Sequence, residues 1–334
     1  MDTRRSTIAL LLCALPLMAQ TWEPRADMPT PRYDAGSVLL DGKVYVIGGR
    51  VETETALSAV EAYDPRTDSW ARMADMPTQR GRVAVAAFNG QIYVFGGVVG
   101  GETAVVPMSI VEVFDPVANR WASAAPMPYK SQGLKAEVVD NRIYLTGGMS
   151  WPDFQGTWEY DPTTDTWTQH ADLPSPRTLH ASGLIQNRIF AVGGGIQGAW
   201  GARSLWAYDL ATDVWTRGEN MPTGRVALLG AIDDGQLYAI GGEVGAPGGL
   251  TVVEKYDPET NTWTTGPSLT TGRSFLSGAV VDGTILAIGG RDAARLPTGS
   301  VEALQLRSPT TAVQSTTWGT VKAGDRVIDE ATSR

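Results

Sequence analysis

Residues 70–97 read WARMADMPTQRGRVAVAAFNGQIYVFGG, and the landmarks of this stretch recur along the whole chain. The stretch starts with a tryptophan and ends with a glycine pair whose first glycine lies 26 residues later. The same spacing occurs six times, in the pairs Trp22 and Gly48, Trp70 and Gly96, Trp121 and Gly147, Trp167 and Gly193, Trp215 and Gly241, and Trp263 and Gly289. A constant register over six copies indicates an internal structural repeat.

Each repeat is predicted to contain four short strands, a to d. In the second repeat, residues 80–88 form the predicted strand a and residues 91–95 form strand b. The Asn89-Gly90 pair between them is typical of a two-residue hairpin turn, because both residue types tolerate a positive φ. Strand c covers residues 111–114, an Asp-Pro turn follows it, and Trp121 opens strand d.

One four-stranded sheet of this size cannot bury both of its faces, whereas six twisted sheets packed around an axis can. The sequence therefore predicts an all-β fold, a six-bladed β-propeller of four-stranded antiparallel blades. Strand c of the sixth repeat, at residues 301–306, has no tryptophan after it, while Trp22 has no strand c before it. We therefore expect residues 21–24 to close the ring as the outermost strand of the sixth blade. Closure through the segment around Trp318 is the alternative.

The repeats resemble those of the Kelch family in three features. These are the glycine pair, the Val-Glu-x-Tyr-Asp-Pro segment at residues 60–65 and in part at 253–258, and a tryptophan six residues after the aspartate. The resemblance covers about residues 21–307 and implies a Kelch propeller. It does not settle the function, because Kelch propellers include enzymes, adaptors and lectin-like modules.

The N-terminus is predicted to be a secretory signal peptide. Arg4 and Arg5 precede an apolar run from Ile8 to Ala19, which is too short to span a bilayer. Cleavage after Ala19 would leave a secreted or periplasmic protein without a membrane span, and a lipoprotein anchored at Cys13 is the alternative. The expected organisation is a signal peptide at 1–19, a propeller at 20–307 and a flexible C-terminal tail at 308–334.

Composition excludes several classes of function. The 334 residues include only 2 His and 1 Cys, so we expect no zinc or copper site and no cofactor. The formal charge of −9 argues against nucleic-acid binding, which needs clustered Lys and Arg to neutralise phosphates.

The face that carries the d–a and b–c loops is the predicted binding face. Variation in repeat length falls in the b–c loops, and variable loops on a rigid scaffold are where binding usually evolves. Five arginines start strand a on this face, and three more lie close to them in the predicted fold. The first group is Arg32, Arg80, Arg177, Arg225 and Arg273, and the second is Arg82 together with Arg50 and Arg291, which follow glycine pairs.

In Kelch substrate adaptors, arginines at matching positions line an acidic-peptide pocket. The resemblance therefore implies a carboxylate-bearing ligand, either an acidic peptide or protein or a carboxylated glycan, held by guanidinium groups. In the alternative interpretation, the strand a arginines bond neighbouring carbonyls or a recurring glutamate of strand c. That glutamate is Glu61, Glu112, Glu254 or Glu302.

Three aromatic residues in b–c loops are further candidates for the ligand site. Trp151, Phe154 and Trp200 lie on neighbouring blades, where exposed rings would stack on a sugar or a peptide. In the alternative interpretation, they pack against the adjacent blade. His170 and His180 are expected to be packing residues.

The sequence favours a non-catalytic binding module for a protein, peptide or glycan. The alternative is a carbohydrate-active enzyme such as a sialic-acid mutarotase-like epimerase, in which arginines would face a sugar carboxylate. A copper oxidase of the galactose-oxidase type is disfavoured because its histidine ligands come from different blades, whereas His170 and His180 share one repeat. An iron-dependent specifier protein is disfavoured because its Glu/Asp/His spacing is missing.

Overall fold

The computed structural model describes residues 20–100, 105–149, 156–196, 199–245 and 248–306. Within these ranges the strands form six four-stranded antiparallel sheets, together with two two-stranded ribbons in b–c loops. This arrangement confirms the predicted six-bladed β-propeller. The predicted signal peptide and C-terminal tail lie outside the described residues. No helix in the described ranges is long and apolar enough to cross a membrane.

The strands are numbered β1 to β28 in chain order. The first half comprises β1 Trp22–Arg25, β2 Gly36–Leu40, β3 Lys43–Ile47, β4 Val60–Asp64, β5 Ser69–Arg72, β6 Ala84–Phe88, β7 Gln91–Phe95, β8 Val98–Val99, β9 Val106–Pro107, β10 Val111–Asp115, β11 Arg120–Ala124, β12 Gln132–Val139, β13 Arg142–Met149 and β14 Thr157–Asp161. The second half comprises β15 Thr166–His170, β16 Ala181–Ile185, β17 Arg188–Val192, β18 Gly195–Ile196, β19 Ala199–Trp200, β20 Leu205–Asp209, β21 Val214–Gly218, β22 Leu229–Asp233, β23 Gln236–Ile240, β24 Val253–Asp257, β25 Thr262–Thr265, β26 Ser277–Val281, β27 Thr284–Ile288 and β28 Val301–Gln305.

Blades I to VI follow the sequence repeats, with strand a innermost. Their orders from a to d are β2-β3-β4-β5, β6-β7-β10-β11, β12-β13-β14-β15, β16-β17-β20-β21, β22-β23-β24-β25 and β26-β27-β28-β1. Blade VI thus takes its outermost strand from the N-terminus, since Trp22 lies opposite Leu304 and Arg25 opposite Val301. The Gln20 side chain also donates to the carbonyl of Leu306 at 2.9 Å, so the two chain segments meet beside this sheet.

The a–b turns have the backbone that the Asp-Gly and Asn-Gly pairs predict. Asp41 and Gly42 have φ of 50° and 73°, and Asn89 and Gly90 have 49° and 72°. Positive φ at both central residues is the type I′ geometry, whose twist matches that of the flanking strands. Asp140-Asn141 and Gln186-Asn187 adopt positive φ at the same place without a glycine.

Strand a begins later than the sequence suggests, at Ala84 in blade II instead of Arg80. A left-handed residue lies two positions after each strand a arginine or its equivalent, and in every blade except III strand a begins after it. These residues are Asp34, Arg82, Gly133, Leu179, Ala227 and Phe275. Each donates its backbone N–H to the carbonyl of the matching residue in the preceding blade, at 2.7–3.1 Å. The six bonds form a closed ring around the axis, called the axial ring below.

Neighbouring blades are also joined at their outer strands. In blade I, the Asp68 carboxylate accepts hydrogen bonds from the Tyr63 hydroxyl at 2.7 Å and from the N–H of Ala26 in blade VI at 2.8 Å. The indole N–H of Trp70 donates to the carbonyl of the same Ala26 at 2.9 Å. The six repeat tryptophans therefore do more than fill space. The indole N–H of each one donates to a backbone carbonyl of the preceding blade.

Candidate functional site

The strand a arginines lie inside the blades and not around the channel mouth as predicted. Arg225 is fully buried, forms an ion pair with Glu254 at 3.0 Å and donates to the carbonyl of Ala239 at 2.8 Å. Burial lowers its pKa to about 10, while the charge of Glu254 acts in the opposite direction. The same type of pair joins Arg32 to Glu61, Arg80 to Glu112 and Arg273 to Glu302. These guanidinium groups hold strands together and are closed to a ligand.

Blades III and IV depart from this pattern. Blade III has Ser131 at the arginine position and Trp158 at the glutamate position, so it has lost both partners together. Blade IV keeps Arg177 but has Trp206 in place of the glutamate. Arg177 is fully buried and donates to the carbonyls of Gly193 and Ser204 at 3.2 and 3.0 Å. Burial without a carboxylate partner lowers its pKa to about 10.

The other three predicted arginines do come together, beside the axial ring. Arg82 pairs with Asp34 at 2.9 Å, and Arg50 pairs with Glu54 at 3.2 Å. Arg291 reaches the same Glu54 from blade VI. We call these five residues the mouth cluster. It joins blades I, II and VI at the entrance of the central channel.

Aromatic rings complete the mouth cluster. The guanidinium carbon of Arg291 lies 3.8 Å from the Tyr33 ring centroid, and a nitrogen of the same group donates to the Tyr33 hydroxyl at 2.6 Å. Both Arg82 and Arg291 lie 5.8 Å from the ring centroid of Phe275. Stacking on an aromatic face orients the planar guanidinium while its edges remain free to donate.

The electrostatics of the mouth cluster differ from those of the whole chain. Three guanidinium groups and two carboxylates give the cluster a formal charge of +1, whereas the chain carries −9. The Asp34 carboxylate raises the pKa of Arg82. Burial acts to raise the pKa of Glu54, but the Tyr33 hydroxyl and the charges of Arg291 and Arg50 outweigh it and lower the pKa. Both shifts favour the charged forms of Arg82 and Glu54, in agreement with a local positive excess in the formal charge.

Two charged residues that the sequence interpretation missed project from blade III. Lys135 lines both cavities along the axis, and Glu137 lines the larger one. The Ser182 hydroxyl of blade IV donates to the Glu137 carboxylate. Burial raises the pKa of Glu137 to about 7 and lowers that of Lys135. A signal was present in the sequence, since the other five repeats have small or apolar residues at both positions.

The remaining candidates are three aromatic residues and a histidine. Trp151 and Phe154 lie outside the described residues, and Trp200 lies in β19, which pairs with β18 in the b–c loop of blade IV. His180 is fully buried near Thr146, and burial together with the charges of Arg177 and Lys135 lowers its pKa well below 6.5. Among the described residues, no group of three or more His, Cys, Asp or Glu side chains could hold a metal ion.

Comparisons with known proteins agree with this architecture. A family model described as the KLHDC2/KLHL20/DRC7 Kelch-repeats domain matches residues 12–194, and the Kelch motif model matches residues 176–222 and 225–270. A solved chain titled "Structure of YjhT" superposes with a TM-score of 0.73 at 16% identity, covering 82% of this chain and 95% of that one. At that identity the likeness shows the shared fold.

Two curated proteins are similar over shorter stretches. Beta-scruin of Limulus polyphemus is 29% identical over 139 residues, which are 41% of this chain and 15% of that protein. Human Kelch-like protein 30 is 46% identical over 54 residues, which are 16% of this chain and 9% of that protein. Each matched stretch thus spans only a small part of the relative's own length. Because the first family model alone covers more than half of the sequence, the chain belongs to the Kelch repeat family.

Proposed function

We propose that this Kelch propeller is a non-catalytic binding module whose mouth cluster takes an acidic segment of a peptide or protein. One observation carries the proposal: the fold brings Arg50, Arg82 and Arg291 from three blades to one place. The cluster they form has an excess of positive charge on an acidic chain. Such a local field attracts and orients a carboxylate ligand.

Arg82 is the predicted first contact. Its side chain is 21% exposed, whereas those of Arg50 and Asp34 are 1% exposed. Its Nε donates to Asp34 and one terminal nitrogen donates to Gln132 at 3.2 Å, and its fork has further N–H groups to offer. A carboxylate at the channel mouth would share Arg82 with Asp34 in a charge-assisted, bidentate contact.

The mouth cluster also has unused donor capacity, a property that it shares with the strand a arginines. Within the described residues, the Nε and Nη2 atoms of Arg50 and the Nε of Arg291 are buried and have no hydrogen-bond partner. Buried donors without acceptors are costly, because each has lost its hydration without a replacement. A ligand carboxylate that displaced the loop around Glu54 would supply the missing acceptors.

A charge-neutral double substitution tests the site. Asp34→Asn combined with Arg82→Gln removes the guanidinium but keeps the formal charge and a side-chain hydrogen bond. The matched control is Asp64→Asn combined with Arg66→Gln, which changes an exposed pair at a c–d turn on the opposite face. The probes are an array of acidic peptides, with basic peptides as controls, and an array of carboxylated glycans.

We expect acidic peptides to bind the unmodified protein. The mouth variant should bind at least about tenfold more weakly, a difference of 1.4 kcal/mol, and the control variant should bind normally. Equal binding by the mouth variant, or capture of glycans without peptides, would overturn the proposal. The epimerase alternative is tested by the rate of anomer exchange of free sialic acid. Acceleration by the protein would overturn the non-catalytic assignment.

A further inference from the structure

The central channel below the mouth cluster is a cavity in its own right. A space of about 380 Å³ at the axial ring and one of about 600 Å³ deeper along the axis both include open solvent. The two adjoin, since both have Ala35, Val83, Leu134, Lys135 and Leu276 in their walls. Lys135 lines both spaces, whereas Glu137 lines only the deeper one.

The two charges in this channel are not required by the fold. The positions equivalent to Lys135 hold Gly36, Ala84, Ala181, Leu229 and Ser277, and those equivalent to Glu137 hold Val38, Ala86, Gly183, Ala231 and Ala279. Five blades thus pack around the axis without a charge at either position. Blade III alone places a cation and a carboxyl there, two residues apart on the same side of β12.

The two groups are separate from each other. Within the described residues, Lys135 forms no ion pair within 4.0 Å and no hydrogen bond, although it senses the charges of Glu137 and Asp34. Glu137 accepts one hydrogen bond, from Ser182, and its remaining acceptor sites face the channel. Holding opposite charges apart in a confined space costs free energy that a molecule bridging them would recover.

We propose that the central channel binds a small zwitterion, an α-amino acid with a short side chain, with its carboxylate on Lys135 and its ammonium on Glu137. Two groups of opposite sign that line one cavity without pairing with each other suit a ligand that carries both signs. The short side chain follows from the wall, where Ser37, Ser182, Gly230 and Gly278 leave room without forming a large apolar pocket. The Ser182 hydroxyl donates its proton to Glu137, so its oxygen could accept a hydrogen bond from the ligand ammonium.

The protonation behaviour of the site agrees with this chemistry. Burial raises the pKa of Glu137 to about 7, although the Ser182 hydrogen bond and the Lys135 charge lower it. The ligand ammonium would add a second cation beside Lys135 and favour the charged form of Glu137 further. No residue of the mouth cluster is a proposed contact of the zwitterion, so either proposal can fail without the other.

Titration calorimetry at pH 8 with glycine, L-alanine and L-serine tests the proposal. Acetate and ethylammonium are the half-molecule probes, and lactate replaces the ammonium with a hydroxyl. The variants are Lys135→Met and Glu137→Gln, which keep side-chain length, and Lys130→Met serves as a control on an exposed lysine of the same blade. Tryptophan fluorescence confirms that each variant is folded.

We expect at least one of the three amino acids to bind, and each half-molecule to bind at least tenfold more weakly. Lys135→Met and Glu137→Gln should each weaken binding at least tenfold, and Lys130→Met should leave it unchanged. The proposal is overturned if none of the three amino acids binds, or if either channel variant binds like the unmodified protein. Lactate binding as tightly as alanine would show that Glu137 recognises a hydrogen-bond donor and not a cation, which would also overturn it.

Discussion

Replacing Arg225 with alanine is the sharpest test of how this propeller is stabilised. The side chain is fully buried, lies 3.0 Å from the Glu254 carboxylate and donates to the carbonyl of Ala239 at 2.8 Å. Truncation would leave a buried carboxylate without its cation and a carbonyl without its donor. Breaking one side of a buried ion pair costs about 3–5 kcal/mol, so we expect a loss of stability in this range.

Urea unfolding followed by tryptophan fluorescence measures this loss. Arg66→Ala is the reference, because its side chain is 72% exposed and such a substitution changes stability by about 0.5 kcal/mol or less. Glu254→Ala and the double variant complete a thermodynamic cycle. Since blade III folds with Ser131 and Trp158 in these places, we expect the double variant to lose less than the sum of the two single losses.

Two results would refute the reasoning. A loss below about 1 kcal/mol for Arg225→Ala would mean that the ion pair contributes no more than an exposed one. Strictly additive losses in the cycle would mean that Arg225 and Glu254 do not stabilise each other. In either case the arginines of strand a would again be candidates for ligand binding.

Three further predictions concern other parts of the molecule. In urea unfolding, Gly48→Ala should lower the free energy of unfolding more than Gly90→Ala. Both positions have positive φ, but only at Gly48 would the new Cβ meet a backbone atom, the Arg80 carbonyl oxygen at 2.3 Å. Gly90→Ala should cost only the left-handed penalty of about 1–2 kcal/mol, and equal losses would contradict this. Asp68→Ala should lower the free energy of unfolding by about 1–3 kcal/mol, because it leaves a buried tyrosine hydroxyl and a backbone N–H unpaired. No change in stability would mean that Asp68 does not help to hold blades I and VI together. Glu137→Gln should stabilise the protein at pH 8 more than at pH 4. Because the pKa of Glu137 is raised in the folded protein, stability falls as the pH rises from 4.5 to about 7. An equal effect of the substitution at both pH values would mean that Glu137 does not ionise in this range.

Most of the fold could be predicted from the spacing of Trp70 and Gly96 and their five counterparts. Each tryptophan and each glycine pair has one geometric role per blade, so a constant register specifies the blades, their turns and their number. The direction of the strand a arginines could not be predicted from spacing alone. A single left-handed residue, Arg82 in blade II, delays the strand and lets Arg80 turn inward to Glu112.

The candidate site was predicted in part, for a physical reason. Arg50 and Arg291 follow glycine pairs, and Arg82 lies on the axial ring, so all three reach the mouth through the geometry of the repeat. Lys135 and Glu137 are exceptions to the repeat, and a repeat pattern draws attention to what the copies share. Where one blade differs from the other five, the fold does not require a particular residue. A functional side chain can therefore be placed at such a position.

The pairing of β1 with β28 has a consequence for how the protein is made. Arg25 and its partner Val301 are 276 residues apart in the chain. At roughly 5–20 residues per second, a ribosome needs about 14–55 s to synthesise the stretch between them. During that interval β1 has no strand to pair with and Trp22 has no blade to pack against. Among the propeller strands, β1 is synthesised first and pairs with a strand synthesised last, so a chaperone that shields it would act within this window.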